Sequence, residues 1–369
     1  MTTIAEKIPY NISTHIDRID NELRFISPTV DNHLDENLVE FLSKYTSLIE
    51  RNSKIIRSNV LEDLNSFYKN GIQSIINLSR INDVRYMHQY LKEMNSKLSI
   101  GGYCIGCVET NEERRQKIHN KLPKILYYPT IFTQFIIMRC FPKWLLTKRM
   151  YFLATKGKGR CLSLSETLGR FASCGFETLE YKEFGNLTYI VAKKVSEPII
   201  NTTPSYGPLL KLNRFGKYER PFRIYKLRTM HPYSEFLQNY IYKRNKLQKG
   251  GKFKDDFRIP LWGKLLRKYW VDEIPMLVNL LKGDIKLVGV RPLSAHYLSL
   301  YRDDLRELRY NHKPGLVPPF YADLPETIEE IMDSEEKYLK AYDKNPIKTD
   351  IIYFFRIFKN IFFNNARSN

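Results

Sequence analysis

The chain has 369 residues, long enough for two domains and a sizeable core, and its 43% hydrophobic and 13% aromatic content marks a folded protein. A formal net charge of +19 and a pI near 9.5 point to anionic partners: nucleic acid, acidic lipid headgroups or phosphorylated ligands. The basic residues are spread along the chain with no arginine-rich tail and no recognised nucleic-acid-binding motif, so the expectation is no nucleic acid.

The first residues, MTTIAEKIPYNIS, have no basic region followed by an apolar core, so no cleaved signal peptide is expected. No stretch reaches the ~20 apolar residues of a spanning helix. Together these place the protein on the cytoplasmic side, soluble or surface-bound. Residues 1–95 read as mostly helical and polar, with apolar residues at helical spacing in Asn37 to Ile49 and Asp83 to Met94. A glycine turn, Gly101-Gly102, then leads into an apolar strand, Tyr103 to Val108. Five cysteines form no paired framework, which suggests a reducing compartment. Cys104 and Cys107 have the spacing of half a zinc site, but no second pair follows and they sit in the apolar strand, so they read as buried thiols.

Residues 125–146, ILYYPTIFTQFIIMRCFPKWLL, are apolar and aromatic, are broken by Pro129 and Pro142, and hold one internal cation before Lys143, Arg139. Lys121 and Lys124 precede the run; Lys148 and Arg149 follow it. Two readings stand side by side: a segment that lies in or dips into a membrane interface, or an ordinary buried helix pair. Residues 163–176 predict a helix with a Ser163 or Ser165 cap and a Gly175 stop. Glu177 to Phe184 and Leu187 to Val195 predict a hairpin turned at Gly185-Asn186. This helix, strand, helix, hairpin order resembles the second half of a class I methyltransferase domain. Residues 1–95 hold only Gly71 and no Gly-x-Gly, so a nucleotide-type phosphate site is not supported there. Residues 1–195 therefore predict a degenerate Rossmann-like accessory domain, 196–206 a proline- and threonine-rich linker, and 207–369 an α-rich α/β domain.

Most of the chemistry lies in that last part. Asp256 to Pro292 reads DFRIPLWGKLLRKYWVDEIPMLVNLLKGDIKLVGVRP. At its centre an adjacent carboxylate pair, Asp272-Glu273, stands before Pro275, with Arg258, Lys264, Arg267 and Lys268 on one side and Arg291 on the other. Carboxylates held among cations suit an anionic substrate, whereas a helix start needs only one acidic cap. Upstream, IYKLRTM places Lys226 and Arg228 on one side of a strand, where two cations suit phosphate. Glu326 to Tyr342 reads as an acidic amphipathic helix with a solvated face. Ile351 to Phe363 is an aromatic run carrying Arg356 and Lys359, open to contact with a membrane surface.

Five motifs run in order: Asp256 to Ile259, Gly263 to Lys268, Asp272 to Pro275, Asn279 to Asp284 and Leu287 to Pro292. With the block Gly207 to Met230, they resemble the bacterial sugar transferases, or monotopic phosphoglycosyl transferases. The resemblance covers roughly 205–362. It implies an enzyme that moves a phosphosugar from a nucleotide-sugar, expected to be a UDP-sugar, to polyprenyl phosphate. That reaction would initiate exopolysaccharide, capsule or glycoconjugate synthesis at the cytoplasmic face of the bacterial inner membrane. The resemblance gives Asp272 the role of nucleophile, and Glu273 that of metal ligand or base toward the incoming phosphate. Asp272 and Glu273 together offer a natural Mg²⁺ site. Arg291 is the best placed for a bidentate phosphate contact, with Lys226, Arg228, Arg214, Arg258 and Arg267 as further phosphate-binding candidates. Relatives usually carry a hydrophobic re-entrant helix just before the Gly-Pro block; here that position holds the hairpin and the polar linker. Pro314 to Asp323 also departs from the family pattern, so the sugar is left open. The competing reading is a catalytically silent membrane-surface scaffold for polysaccharide assembly. The oligomeric state is not legible.

Overall fold

The structure, a computed structural model, describes residues 36–45, 52–199, 207–238, 240–241 and 256–363. The chain divides into two units, Met1–Thr203 and Pro204–Asn369, with the short stretch Glu235–Leu237 grouped with the first. The expected linker lies mostly outside the described residues, as do residues 1–35 and the end of the helix expected over Asn37 to Ile49.

The first unit is built on one mixed sheet. Its strands are β1 (Ser53–Ile56), β2 (Ile72–Arg80), β3 (Leu98–Val108), β4 (Phe176–Phe184) and β5 (Leu187–Lys194), in the spatial order β1-β2-β3-β5-β4. The first three run parallel; β5 is antiparallel to β3 and β4 to β5. Helix α1 (Glu36–Ser43) packs Leu38, Phe41 and Leu42 against Ile76, Ile105 and Val191 of the sheet. Helix α2 (Met87–Lys97) supplies Tyr90, Leu91 and Met94 to the core.

Two parallel strands therefore stand where the sequence reads as mostly helical. The reason is a pair of polar residues on the inner positions of β2. Ser74 Oγ donates to Ser53 Oγ at 2.6 Å, and Asn77 Nδ2 donates to the Tyr90 hydroxyl and the Ser58 carbonyl, both at 2.8 Å. These satisfied polar groups interrupt the apolar run by which a buried strand is recognised. Gly101-Gly102 is likewise not a turn before a strand but a bulge inside β3. Pairing jumps from Ile72↔Leu98 to Ser74↔Tyr103, Gly101 takes φ +86°, and a Cβ on Gly102 would sit 2.8 Å from the Gln73 carbonyl oxygen. Cys104 and Cys107 lie fully buried in that strand, and burial pushes the Cys107 thiol up to about 12.

Downstream, α6 (Leu164–Ser173) is capped by Ser163, whose Oγ accepts the Glu166 N–H, and Gly175 stops it at φ +84°. The hairpin turns at Gly185-Asn186, with Phe184 opposite Leu187. Between β3 and α6 the chain forms α3 (Asn111–Lys121), α4 (Lys124–Gln134), a π-helical turn (Phe135–Cys140), a 3₁₀ turn (Phe141–Lys143) and α5 (Leu145–Thr155).

The second unit has little sheet. Strands β6 (Leu209–Phe215) and β7 (Pro221–Leu227) form an antiparallel hairpin; β8 (Lys286–Val288) and β9 (Gly315–Val317) form a parallel pair. The chain approaches itself closely where Gly289, just after β8, meets Gly315 at the start of β9: a Cβ on Gly315 would stand 2.2 Å from the Gly289 nitrogen. Helices α9 (Asp303–Tyr310), α10 (Ile328–Lys344) and α11 (Pro346–Phe363) enclose a core that includes Leu305, Met332, Tyr338, Leu339, Tyr353 and Ile357. Tyr338 ties this core together, its hydroxyl donating to Asp350 Oδ1 at 2.6 Å and lying 3.1 Å from the Val288 carbonyl. The acidic helix α10 thus has more than a solvated face: Met332, Glu335, Tyr338 and Leu339 are buried.

Candidate active site

Asp272 and Glu273 lie in a 3₁₀ turn, Val271–Met276, entered through Trp270 in the left-handed region at φ 53°. The Glu273 N–H donates to the Trp270 carbonyl at 3.0 Å and closes the turn. The turn feeds directly into the short helix α8 (Leu277–Leu281), so Pro275 sits in the 3₁₀ segment ahead of the helix rather than at its first position.

Asn279, wholly buried in α8, locks this turn against β7. Its Oδ1 accepts the Tyr225 N–H at 3.1 Å, and its Nδ2 donates to the Arg223 carbonyl at 2.8 Å and to Asp284 Oδ2 at 3.0 Å. One side-chain amide therefore satisfies the free edge of β7 on both sides of Ile224, as a neighbouring strand would. Gly283, at φ +73°, lets the chain turn so that the Asp284 N–H returns to the Asn279 carbonyl at 3.0 Å. With β7 fixed in this way, Lys226 meets Glu273: Nζ lies 2.5 Å from Oε1.

Arg267 arrives from α7 (Leu261–Lys268). A Cβ on Gly263 would stand 2.2 Å from the Thr229 carbonyl oxygen, so only glycine allows this helix so close to the strand end. One turn later Arg267 Nε donates to Thr229 Oγ1 at 2.9 Å.

The electrostatics join these groups. Asp272 is only 8% exposed, and burial raises its carboxyl above the ordinary value; Glu273 adds to the rise while Lys226 and Arg267 oppose it. Burial lowers Lys226, and Glu273 counteracts this while Arg291 reinforces it. Arg267 and Arg214 are also lowered by burial, each with a contribution from Arg291. Four cations thus share one electrostatic neighbourhood with two carboxylates, and the surplus of positive charge suits a diphosphate. Among the described residues the Arg291 guanidinium, on an exposed residue, has no hydrogen bond or ion pair within the protein.

Two of the expected phosphate ligands are engaged locally. Arg258 makes a fork onto Asp256, with Nε–Oδ1 at 2.8 Å and Nη2–Oδ2 at 2.6 Å. Arg228 is buried at the strand end, its Nε donating to the Gly207 carbonyl at 3.1 Å. Lys226 and Arg228 alternate in sequence, but the described contacts take them to different partners, Glu273 and the Gly207 carbonyl.

The residues that hold the site in shape were harder to read. Asn279 and Gly263 stand inside motifs, but their positions carry no obvious chemistry. Arg309 and Glu335 gave no local signal. Arg309 Nη2 donates to the Arg291 carbonyl at 2.6 Å while Nη1 pairs with the buried Glu335 carboxylate. Burial raises the Glu335 carboxyl, and Arg309 opposes the rise. Among the described residues no group of three or more His, Cys, Asp or Glu side chains forms a metal cage.

Residues 190–364 match the family described as bacterial sugar transferase. Three curated relatives illustrate the range. An uncharacterized sugar transferase of Bacillus subtilis is 35% identical over 34% of this chain and 52% of its own length. The UDP-N-acetylgalactosamine-undecaprenyl-phosphate N-acetylgalactosaminephosphotransferase of Aeromonas hydrophila is 33% identical over 35% of this chain and 30% of its own. The undecaprenyl-phosphate galactose phosphotransferase of Salmonella typhimurium is 39% identical over 28% of this chain and 22% of its own. The chain thus spans about half or less of the length of these relatives. Among solved structures, a SAM-dependent methyltransferase from Thermotoga maritima covers 35% of this chain and 58% of its own at 18% identity, with a TM-score of 0.22, too low a likeness to support an argument. The matched stretch contains Asp272, Glu273 and every cation gathered around them, and this C-terminal region of the chain, residues 190–364, belongs to the bacterial sugar transferase family.

Proposed function

We propose that the second unit is a phosphoglycosyl transferase, moving a phosphosugar from a nucleotide-sugar to a polyprenyl phosphate, with Asp272 as the nucleophile. The observation that carries this reading is the state of Asp272: a nearly buried carboxylate of raised proton affinity, flanked by cations in excess. A higher proton affinity goes with greater basicity and nucleophilicity, and the cations reduce the repulsion between a carboxylate and a phosphate.

In the first step an Asp272 carboxylate oxygen attacks the phosphorus that bears the sugar. The bond from that phosphorus to the bridging oxygen breaks, a nucleoside monophosphate leaves with the bonding pair, and an aspartyl-phosphosugar forms. In the second step an oxygen of polyprenyl phosphate attacks the same phosphorus and releases the Asp272 carboxylate. Lys226, Arg267 and Arg291 spread the charge of the diphosphate, and Arg214 extends the positive surface. Lys226 holds one Glu273 oxygen at 2.5 Å and so fixes where that carboxylate points.

The two carboxylates fit Mg²⁺ in one respect: this ion is commonly held by one or two carboxylates, with waters and substrate phosphates completing its shell. Asp272 and the second oxygen of Glu273 would hold it, and when bound it would neutralise charge on the diphosphate. The polyprenyl acceptor calls for access from a bilayer. Leu261 and Leu265 on α7, with Ile274, Leu277 and Leu281 after the carboxylate pair, are all exposed and support an apolar approach.

Incubation with a panel of UDP-sugars, polyprenyl phosphate and Mg²⁺ tests the proposal. Release of nucleoside monophosphate from at least one sugar is expected, and it should cease when the ion is chelated. No release from any nucleotide-sugar, or undiminished release by Asp272→Asn, would refute it.

A further inference from the structure

The α4–α5 region of the first unit has its polarity reversed relative to a water-facing helix pair. Its internal cations turn inward. Arg139 Nη1 donates to the Cys161 carbonyl at 3.1 Å, and Lys143 Nζ lies 3.0 Å from Glu166 Oε2. Arg170 reaches the other oxygen of Glu166 at 3.0 Å, so one wholly buried carboxylate gathers Lys143, Arg170 and, at 3.6 Å, Arg139. Burial alone would raise the Glu166 carboxyl; the three cations outweigh it and hold the group well below the usual carboxylate range. Tyr151 also points inward, its hydroxyl donating to the Lys158 carbonyl at 2.9 Å.

The large apolar side chains do the opposite. Ile125 is 82% exposed, Phe132 67%, Leu146 91% and Leu153 81%, and no residue of α4 is buried. Single exposed leucines need no explanation, but a segment that turns Arg139 and Lys143 inward and presents several large apolar groups does. The charge around it narrows the occupant. Between Glu113 and Glu166 there is no Asp or Glu, while twelve Lys and Arg occur. Lys121, Lys124, Lys148 and Arg149 are exposed alongside these apolar groups, and Trp144 is half exposed among them. Exposed apolar groups interspersed with cations and no carboxylate complement an anionic lipid surface, where acyl chains meet phosphate headgroups.

We infer that residues 124–155 of the first unit form a lipid-docking surface for anionic membranes, with the Glu166 cluster as the inner brace that holds Arg139 and Lys143 inside and leaves the apolar groups out. This surface lies in the first unit and stands or falls independently of the reaction assigned to Asp272.

The test uses Trp144 as a local reporter. The chain has three tryptophans, Trp144, Trp262 and Trp270. In a Trp262→Phe background, the full chain is mixed with vesicles of phosphatidylcholine and phosphatidylglycerol brominated in the acyl chains. The emission lost on adding Trp144→Phe is the Trp144 share. That share is expected to be quenched by the brominated anionic vesicles, much less by vesicles of phosphatidylcholine alone, and only partly relieved by high salt, since burial of apolar groups is not screened. Leu146→Ser with Leu153→Ser changes two largely solvated positions, so the fold, checked by circular dichroism, should survive. Loss of roughly 1.4 kcal/mol of burial corresponds to about a tenfold weaker quenching affinity. Absence of Trp144 quenching in vesicle-bound protein, or an unchanged affinity in the double serine variant, would overturn the inference. So would a Trp144 signal that follows protein concentration and not lipid, because the face would then be covered by another protein surface.

Discussion

At Asp272 the cost of burial and the chemistry are one property. A carboxyl whose folded value is raised above the ordinary 3.8 binds its proton more tightly in the folded than in the unfolded chain. Its contribution to stability therefore falls as pH rises from 3.8 through the folded value, and at neutral pH the charge opposes folding. Asp272→Asn keeps the shape and removes the charge. Its Tm at neutral pH should be equal to or above that of the parent, while turnover falls by roughly four orders of magnitude. A variant that loses both stability and activity would point instead to a structural carboxylate. Because the ionised form attacks, the acid limb of kcat/KM should lie above pH 3.8. Arg291 acts differently, since its guanidinium is an exposed fork without a partner among the described residues. Arg291→Lys leaves a point charge in place of two parallel donors and should lower kcat/KM by about ten- to a hundredfold. Full activity in that variant would remove Arg291 from the site.

At the scale of the elements, two contacts position the site without belonging to it. Gly263 is the first. Replacing a helical glycine by alanine ordinarily gains up to about 1 kcal/mol of helix propensity. Here the new Cβ would stand 2.2 Å from the Thr229 carbonyl oxygen, and overpacking of that kind costs about 1–3 kcal/mol. The clash wins: Gly263→Ala should lower Tm and move Arg267 off Thr229, and thermal denaturation showing a stabilised variant would disprove the close approach. The second is the Arg309–Glu335 pair between α9 and α10. Arg309→Ala leaves a buried carboxylate unpaired, a loss of about 3–5 kcal/mol. Replacing both partners, as Arg309→Met with Glu335→Leu, should restore most of that stability but not the hydrogen bond to the Arg291 carbonyl. A double variant that is stable yet has a raised KM for the nucleotide-sugar identifies a positioning role; one with parental KM makes the pair purely structural.

At the scale of the whole molecule, what could be read from the sequence depended on how the information is stored along the chain. Asp272, Glu273 and Arg267 are legible because their chemistry resides in residue type and short spacing. Ser163, Gly175 and Gly185-Asn186 are legible because caps and hairpins obey local backbone rules. Arg309 and Glu335 are not, because they stand 26 residues apart on helices that pattern as ordinary charged amphipathic segments. Strands β1 and β2 were hidden by Ser74 and Asn77, polar residues whose partners exist only once the sheet forms. The reversed polarity of residues 124–155 was visible as an apolar run with cations, but which side faced outward required knowing that Glu166 lies beneath it. The account's central claim is that Asp272 carries the phosphosugar covalently, and trapping tests it most directly. The chain is incubated with a nucleotide-sugar in the absence of polyprenyl phosphate, quenched, digested and analysed by mass spectrometry. The predicted result is a phosphosugar adduct on the peptide bearing Asp272, discharged when polyprenyl phosphate is added before the quench. An adduct on any other residue, or full turnover with no adduct under single-turnover conditions, would contradict it.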